Sequence, residues 1–225
     1  MDLEINKSDN KHEQEINEKS ENKDDNNCDN NKNKDLNSIE EKQHKVVDIS
    51  QVQEIREYDQ YFFSEKVLIS LVNNLKYEDK IICLCTPALA NAFSKEDKET
   101  ICLDIDKRFE YLKGFTYYNI LKPYSLDYIP DLIVFDPPFF NINLVDLYNC
   151  VEVLTKGNKS TALVFAFVTR EERALLEVFK SYKLKETKFK LEYMNVDPTK
   201  WSNYSIYSNK EYNKIQFVNK DKKKK

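Results

Sequence analysis

"DLIVFDPPFF", residues 131–140, runs an apolar strand straight into an aspartate, two prolines and two phenylalanines. Pro137 and Pro138 fix φ and remove two N–H donors, leaving carbonyls that only accept hydrogen bonds. Asp136 adds a carboxylate and Phe139 a flat aromatic face. A carboxylate and carbonyls in a rigid turn form an acceptor-only cradle for an –NH₂ group. An exocyclic adenine amine has its lone pair delocalised into the ring and is a poor nucleophile. Two acceptors gripping its hydrogens favour the pyramidal nitrogen and aim its lone pair, which is catalysis by orientation and electrostatics.

Working outward, the segments on either side alternate between strand and helix periods. Ser64 is positioned to cap a helix whose apolar face is Val67, Leu68, Leu71, Val72 and Leu75. "IICLC" (81–85) predicts a strand buried on both faces, and Pro87 suits the first turn of the next helix. "ICLDID" (101–106), "FTYYNIL" (115–121) and "DLIVFD" (131–136) predict three more strands, with a short helix, "KRFEYLKG", after the first of them. Asn143 caps a helix with Leu144, Leu147, Tyr148, Val151 and Leu154 on one face, ending before Gly157. "TALVFAFV" (161–168) is the fifth strand; Thr169 and Glu172 have capping-box spacing for a helix reaching about Tyr182. "TKFKLEYM" (187–194) alternates like a half-buried strand, an Asn, Ser and Tyr-rich segment follows, and "KIQFV" (214–218) closes the domain.

Strands alternating with helices imply an α/β, mainly parallel sheet with right-handed crossovers. Two last strands without a helix between them imply an antiparallel hairpin at one edge. Such a sheet resembles the Rossmann-like, doubly wound fold of class I S-adenosylmethionine-dependent methyltransferases.

Composition bounds the alternatives. Residues 1–45 hold 10 Asn and no aromatic residue, which predicts a disordered, acid-rich tail before a domain at 46–219 and a basic tail, "KDKKKK", at 220–225. The lysine run attracts phosphates or is simply a solvated end. The domain is close to neutral, unlike one that grips a long duplex through a basic excess. No apolar run of 18 residues predicts a membrane span. The cysteines, Cys28, Cys83, Cys85, Cys102 and Cys150, form no C-x-x-C pair, and both histidines, His12 and His44, lie in the tail. The expectation is buried small hydrophobes, no metal, and an intracellular chain, cytoplasmic or nuclear and nucleolar.

In doubly wound sheets, ligands sit outside the carboxyl ends of the strands. There the first turn, "CTPAL" (85–89), lacks the glycines that a pyrophosphate site needs. Asp106 lies 21 positions after Cys85, about the offset at which an acid accepts from ribose hydroxyls; it also reads as a helix cap. Asp104 shares its strand face. Asn119, after Tyr117 and Tyr118, suits an adenine edge or a turn. Trp201, the sole tryptophan, stacks on a base or pins its loop to the core, the second being favoured.

"DPPF" resembles the (D/N)-P-P-(Y/F/W) motif of amino-methyltransferases. Residues 58–219 resemble a eukaryotic subgroup with two branches, the elongation factor 1-alpha lysine methyltransferases and the zinc-finger ribosomal-RNA adenine-N6 methyltransferase. The shared elements are "QYFFS" (60–64), "LDIDKRFE" (103–110), "YYN" (117–119) and "FDPPFF" (135–140). The resemblance implies S-adenosylmethionine as cofactor, with Phe62, Phe63, Ser64, Thr86, Asp106 and Asn119 in its pocket. It implies that Asp136, Pro137, Pro138 and Phe139 hold the target amine. "DKRFE" and Phe140 resemble the lysine branch. "CTPALA", "LDID" and the stretch from "FAFV" to "KWSNYSIYSNKEYNKIQFV" resemble the RNA branch. The expected substrate is therefore RNA, methylated at adenine-N6, with elongation factor 1-alpha lysine as the alternative. Lacking zinc fingers, the domain requires an accessory subunit or the lysine tail to deliver RNA.

Overall fold

The computed structural model describes residues 47–219; the expected acid-rich tail and the terminal lysines lie outside the described residues. Five parallel strands come first along the chain: β1 (Ile81–Leu84), β2 (Ile101–Asp104), β3 (Phe115–Tyr117), β4 (Leu132–Phe135) and β5 (Ala162–Val168). Two short antiparallel strands, β6 (Lys185–Glu186) and β7 (Tyr204–Ser208), complete a seven-stranded sheet of order β3-β2-β1-β4-β5-β7-β6. This is the expected Rossmann-like sheet with its inserted antiparallel hairpin.

Helices α1 (Glu65–Leu75) and α2 (Pro87–Ser94) cover one face, while α3 (Leu144–Thr155) and α4 (Glu172–Val178) cover the other. The strand period of two sorts the core between them. Cys83, Val134 and Val164 face α1 and α2; Leu84, Phe135 and Phe165 face α3 and α4. Every residue of β1, β4 and β5 is buried, which explains their unbroken apolar runs. Ser64 caps α1 by accepting the Val67 N–H at 3.4 Å, and Asn143 caps α3 by accepting that of Asp146 at 2.9 Å. The five apolar residues predicted for α1 are its buried set.

Four local expectations change. Strand β2 stops at Asp104, because the chain leaves the ladder there and the buried Asp106 caps a 3-10 turn, Lys107–Phe109, which replaces the predicted helix. Strand β3 stops at Tyr117, where Tyr118 swings into the core. Thr169 does not cap α4; its hydroxyl donates to the Asn203 carbonyl at 3.2 Å, and a 3-10 turn precedes the helix. The hairpin uses other residues than "TKFKLEYM" and "KIQFV". The partner of β5 is "YSIYS" (204–208), which buries Ile206 toward one face and Tyr207 toward the other.

The alternation of 187–194 is nonetheless physical. Leu191 and Tyr193 are buried; the start of the segment stays at the sheet edge, with Thr187 N–H donating to the Ile206 carbonyl of β7 at 2.8 Å, and its later part pairs with residues 62–64. Ser64 N–H donates to the Glu192 carbonyl at 2.7 Å and Met194 N–H to that of Phe62 at 2.8 Å. Trp201 packs against the core and donates to the Val196 carbonyl at 3.0 Å. Gly114 permits a close approach of backbones, since a Cβ there would lie 1.9 Å from the Thr100 carbonyl oxygen.

Candidate active site

The carboxyl ends of β1, β2, β3 and β4 open into a cavity of about 310 Å³, roofed by residues 57–63. The glycine-free first turn still makes the bend that glycine usually supplies, with Cys85 at φ 54. Thr86 follows it, buried, with its hydroxyl toward the Val134 carbonyl at 3.4 Å. At the end of β2, Asp104 lines the cavity and is 6% exposed. Burial pushes its pKa up to about 6, against the lowering effect of the Asp106 N–H, which donates to it at 2.8 Å. Asn119 lines the cavity after β3, its Oδ1 accepting the Leu121 N–H at 2.9 Å.

The roof is tied down at both ends. Gln60 donates to Asp106 at 3.0 Å, and the Arg108 guanidinium reaches the same carboxylate at 2.6 Å while holding the Gln53 carbonyl at 2.7 Å. Glu54 accepts the Phe62 N–H at 2.7 Å. Asp59, at φ 50, accepts the Phe140 N–H at 3.2 Å. Burial alone would raise the Asp106 pKa; hydrogen bonds from Arg108 and Gln60 outweigh it, and the net shift is downward.

At the end of β4 the electrostatics reverse. Asp136 faces the cavity, and enclosure of its carboxyl pushes its pKa well above the usual carboxylate value. The Tyr193 hydroxyl donates to its Oδ1 at 3.3 Å. The nearby charge of Asp59 pushes in the same direction as burial. The Pro138 carbonyl is taken by the turn, accepting from Asn141 and Ile142 at 3.0 and 3.1 Å. That leaves the Pro137 carbonyl as the backbone acceptor of the Pro-Pro pair. Phe139 stands edge-on to Phe167, with centroids 5.1 Å apart, and Phe63, Tyr193 and Tyr204 continue the aromatic wall at 5.2 and 5.1 Å.

The model of the family described as probable N6-adenine methyltransferase matches residues 54–211, more than half of the chain. The chain belongs to that family. This methyltransferase is an enzyme whose methyl donor is S-adenosylmethionine. No curated protein matches it significantly. Among solved structures it is similar to the 16S rRNA methylase RmtB, at 12% identity and a TM-score of 0.38, covering 58% of this chain and 55% of that one. It thus spans about half the length of that methylase. A putative RNA methyltransferase from Pyrococcus horikoshii matches at 13% identity and 0.43, over 80% of this chain and 98% of that one. A SAM-dependent methyltransferase from Archaeoglobus fulgidus matches at 13% and 0.41, over 64% and 93%.

Of the residues singled out in the sequence, Phe62, Phe63, Thr86, Asn119, Asp136, Pro137, Pro138 and Phe139 line one cavity in this methyltransferase. Ser64 and Asp106 do not line it; one caps α1 and the other holds the roof. Asp104 stands at the cavity where Asp106 was expected, because the strand ends two residues early. Sequence reasoning missed Tyr193 and Asp59, whose contacts with Asp136 and Phe140 span 57 and 81 residues. The cavity fits the methyl donor chemically. A buried carboxyl at Asp104 accepts from hydroxyls, and Leu89, Ile105 and Ile120 supply apolar surface beside it. Among the described residues no cluster of His, Cys, Asp and Glu could hold a metal ion, and no helix is long and apolar enough to cross a membrane.

Proposed function

We propose that this methyltransferase methylates the exocyclic N6 amine of adenine in RNA, in a structured, ribosomal-like substrate. S-adenosylmethionine supplies an electrophilic methyl group. Asp104 and Asn119 anchor its polar end, with Phe62, Phe63 and Thr86 around it, while Asp106 acts by holding the roof. The carrying observation is the enclosed Asp136 carboxyl, bonded through Oδ1 to Tyr193 and set beside Phe139. A second carboxylate oxygen and the Pro137 carbonyl then accept the two amine hydrogens, and Phe139 flanks the base. Arriving N–H donors offset the desolvation that raises the Asp136 pKa, so the carboxylate form is favoured once substrate is bound.

The alternative acceptor is a lysine of elongation factor 1-alpha. Asp59 favours its binding, because a second carboxyl near Asp136 attracts the lysine ammonium, which must still lose a proton before attack. The two readings separate on incubation with labelled S-adenosylmethionine and cell lysate, followed by RNase or protease. The RNA reading expects label lost to RNase. Label that survives RNase and disappears with protease rejects it.

A further inference from the structure

One aromatic ring near the cavity is presented to solvent in a way the amine cradle does not require. Phe140 directly follows the Asp-Pro-Pro-Phe turn and is 66% exposed. Its backbone is fixed, since its N–H donates to Asp59, a residue in the left-handed region at φ 50. Asp59 itself lines the cavity, so the ring is anchored at the rim. The Arg170 guanidinium, from the turn that follows β5, sits 5.6 Å from the ring centroid. Arg170 is itself 66% exposed, and its Nε lies 3.7 Å from Glu171, a loose surface pair that leaves the rest of the guanidinium to solvent.

An exposed ring on a backbone tethered at the rim, with an exposed planar cation over it, has the elements that single-stranded nucleic acid uses. The base stacks on the ring and the cation meets the phosphate. We propose that Phe140 and Arg170 seat the nucleotide adjoining the target adenine, Phe140 by stacking on its base and Arg170 by pairing with its phosphate. This rests on the RNA reading above and extends it from the target base to its neighbour. It also gives a near-neutral domain a local means of holding RNA, through one built step at the cavity mouth instead of a basic face.

The test measures binding of a fluorescent, adenine-containing single-stranded RNA oligonucleotide to the full chain over a range of salt concentrations. Phe140→Ala is expected to weaken binding about tenfold at unchanged salt dependence, and Phe140→Tyr to restore it. Arg170→Ala is expected to lower the slope of log K against log salt by about 0.7, the contribution of one phosphate on a single strand. Tyr77→Ala, at an 81% exposed ring outside the cavity, serves as the control and is expected to change neither. Photo-crosslinking of the unaltered protein to RNA, mapped by mass spectrometry, is expected to mark the peptides around residues 140 and 170. If the unaltered enzyme methylates RNA yet both variants bind it as before and crosslinks fall elsewhere, the docking step is wrong and the adenine reading stands. If it methylates only protein, both fall together.

Discussion

Asp106 and Asp136 follow parallel strands at the same edge of the sheet, yet their surroundings make them opposites. Asp106 is saturated by Arg108 and Gln60, its pKa is lowered, and it stands outside the cavity. Asp136 accepts from the Tyr193 hydroxyl, its pKa is raised, and it lines the cavity. A carboxylate with its bonds already made is a structural tie. One held in an enclosed place with acceptor capacity to spare is poised for a donor that has yet to arrive. The two share residue type but differ in partners and in place, since Asp136 directly follows β4 whereas Asp106 lies two residues beyond the end of β2.

The largest effect expected from breaking this contrast is on turnover. Asp136→Ala removes half of the cradle and should lower kcat by about a thousandfold, judged from losses on deleting single stabilising groups. Calorimetry should show S-adenosylmethionine binding nearly unchanged. Retained turnover would return Asp136 to a structural role. At the other carboxylate, Asp106→Ala should leave Arg108 and Gln60 without their acceptor and cost about 2 kcal/mol of stability, read from urea denaturation. Because the roof carries Phe62 and Phe63, the same variant should also weaken binding of the methyl donor. An unchanged dissociation constant would confine Asp106 to stability.

Asp104 sharpens the comparison through pH. With its pKa raised to about 6, it is the ionised acceptor above that value and protonated below it. Binding of S-adenosylmethionine should therefore strengthen as pH rises through about 6, and Asp104→Asn should flatten the profile. The smallest expected effect is a gain. A carboxyl whose folded pKa is raised binds its proton more tightly in the folded state. Its penalty is absent below the unfolded value of about 4, grows as pH rises, and is full above the folded pKa. Asp136→Asn should accordingly stabilise the protein at neutral pH and leave its stability unchanged below about pH 4, as read from urea denaturation at the two pH values. A loss of stability at neutral pH would contradict the burial penalty assigned to the Asp136 carboxylate.

The same contrast explains what the sequence disclosed. Strands β1, β4 and β5 are buried on both faces, so their apolar runs and the caps at Ser64 and Asn143 could be read directly. Because parallel strands present their carboxyl ends together, Thr86, Asn119 and Asp136 could be grouped before any geometry was known. Strand β7 was hidden because tyrosine and serine occupy it, residues that also fill loops. It becomes a strand by lying against β5, a tertiary effect. The choice between Asp104 and Asp106 turned on where β2 ends, two residues that local pattern does not resolve. Tyr193 and Asp59 reach the site through contacts far apart in the chain, which no window of sequence contains.

The most direct test of the central claim is to incubate RNA with the enzyme and S-adenosylmethionine, digest to nucleosides, and quantify N6-methyladenosine by mass spectrometry. The expected result is N6-methyladenosine with the unaltered enzyme and about a thousandfold slower formation with Asp136→Ala, although that variant still binds the methyl donor. N6-methyladenosine formed equally by both, or methyl groups found on protein lysine and not on adenine, would contradict it.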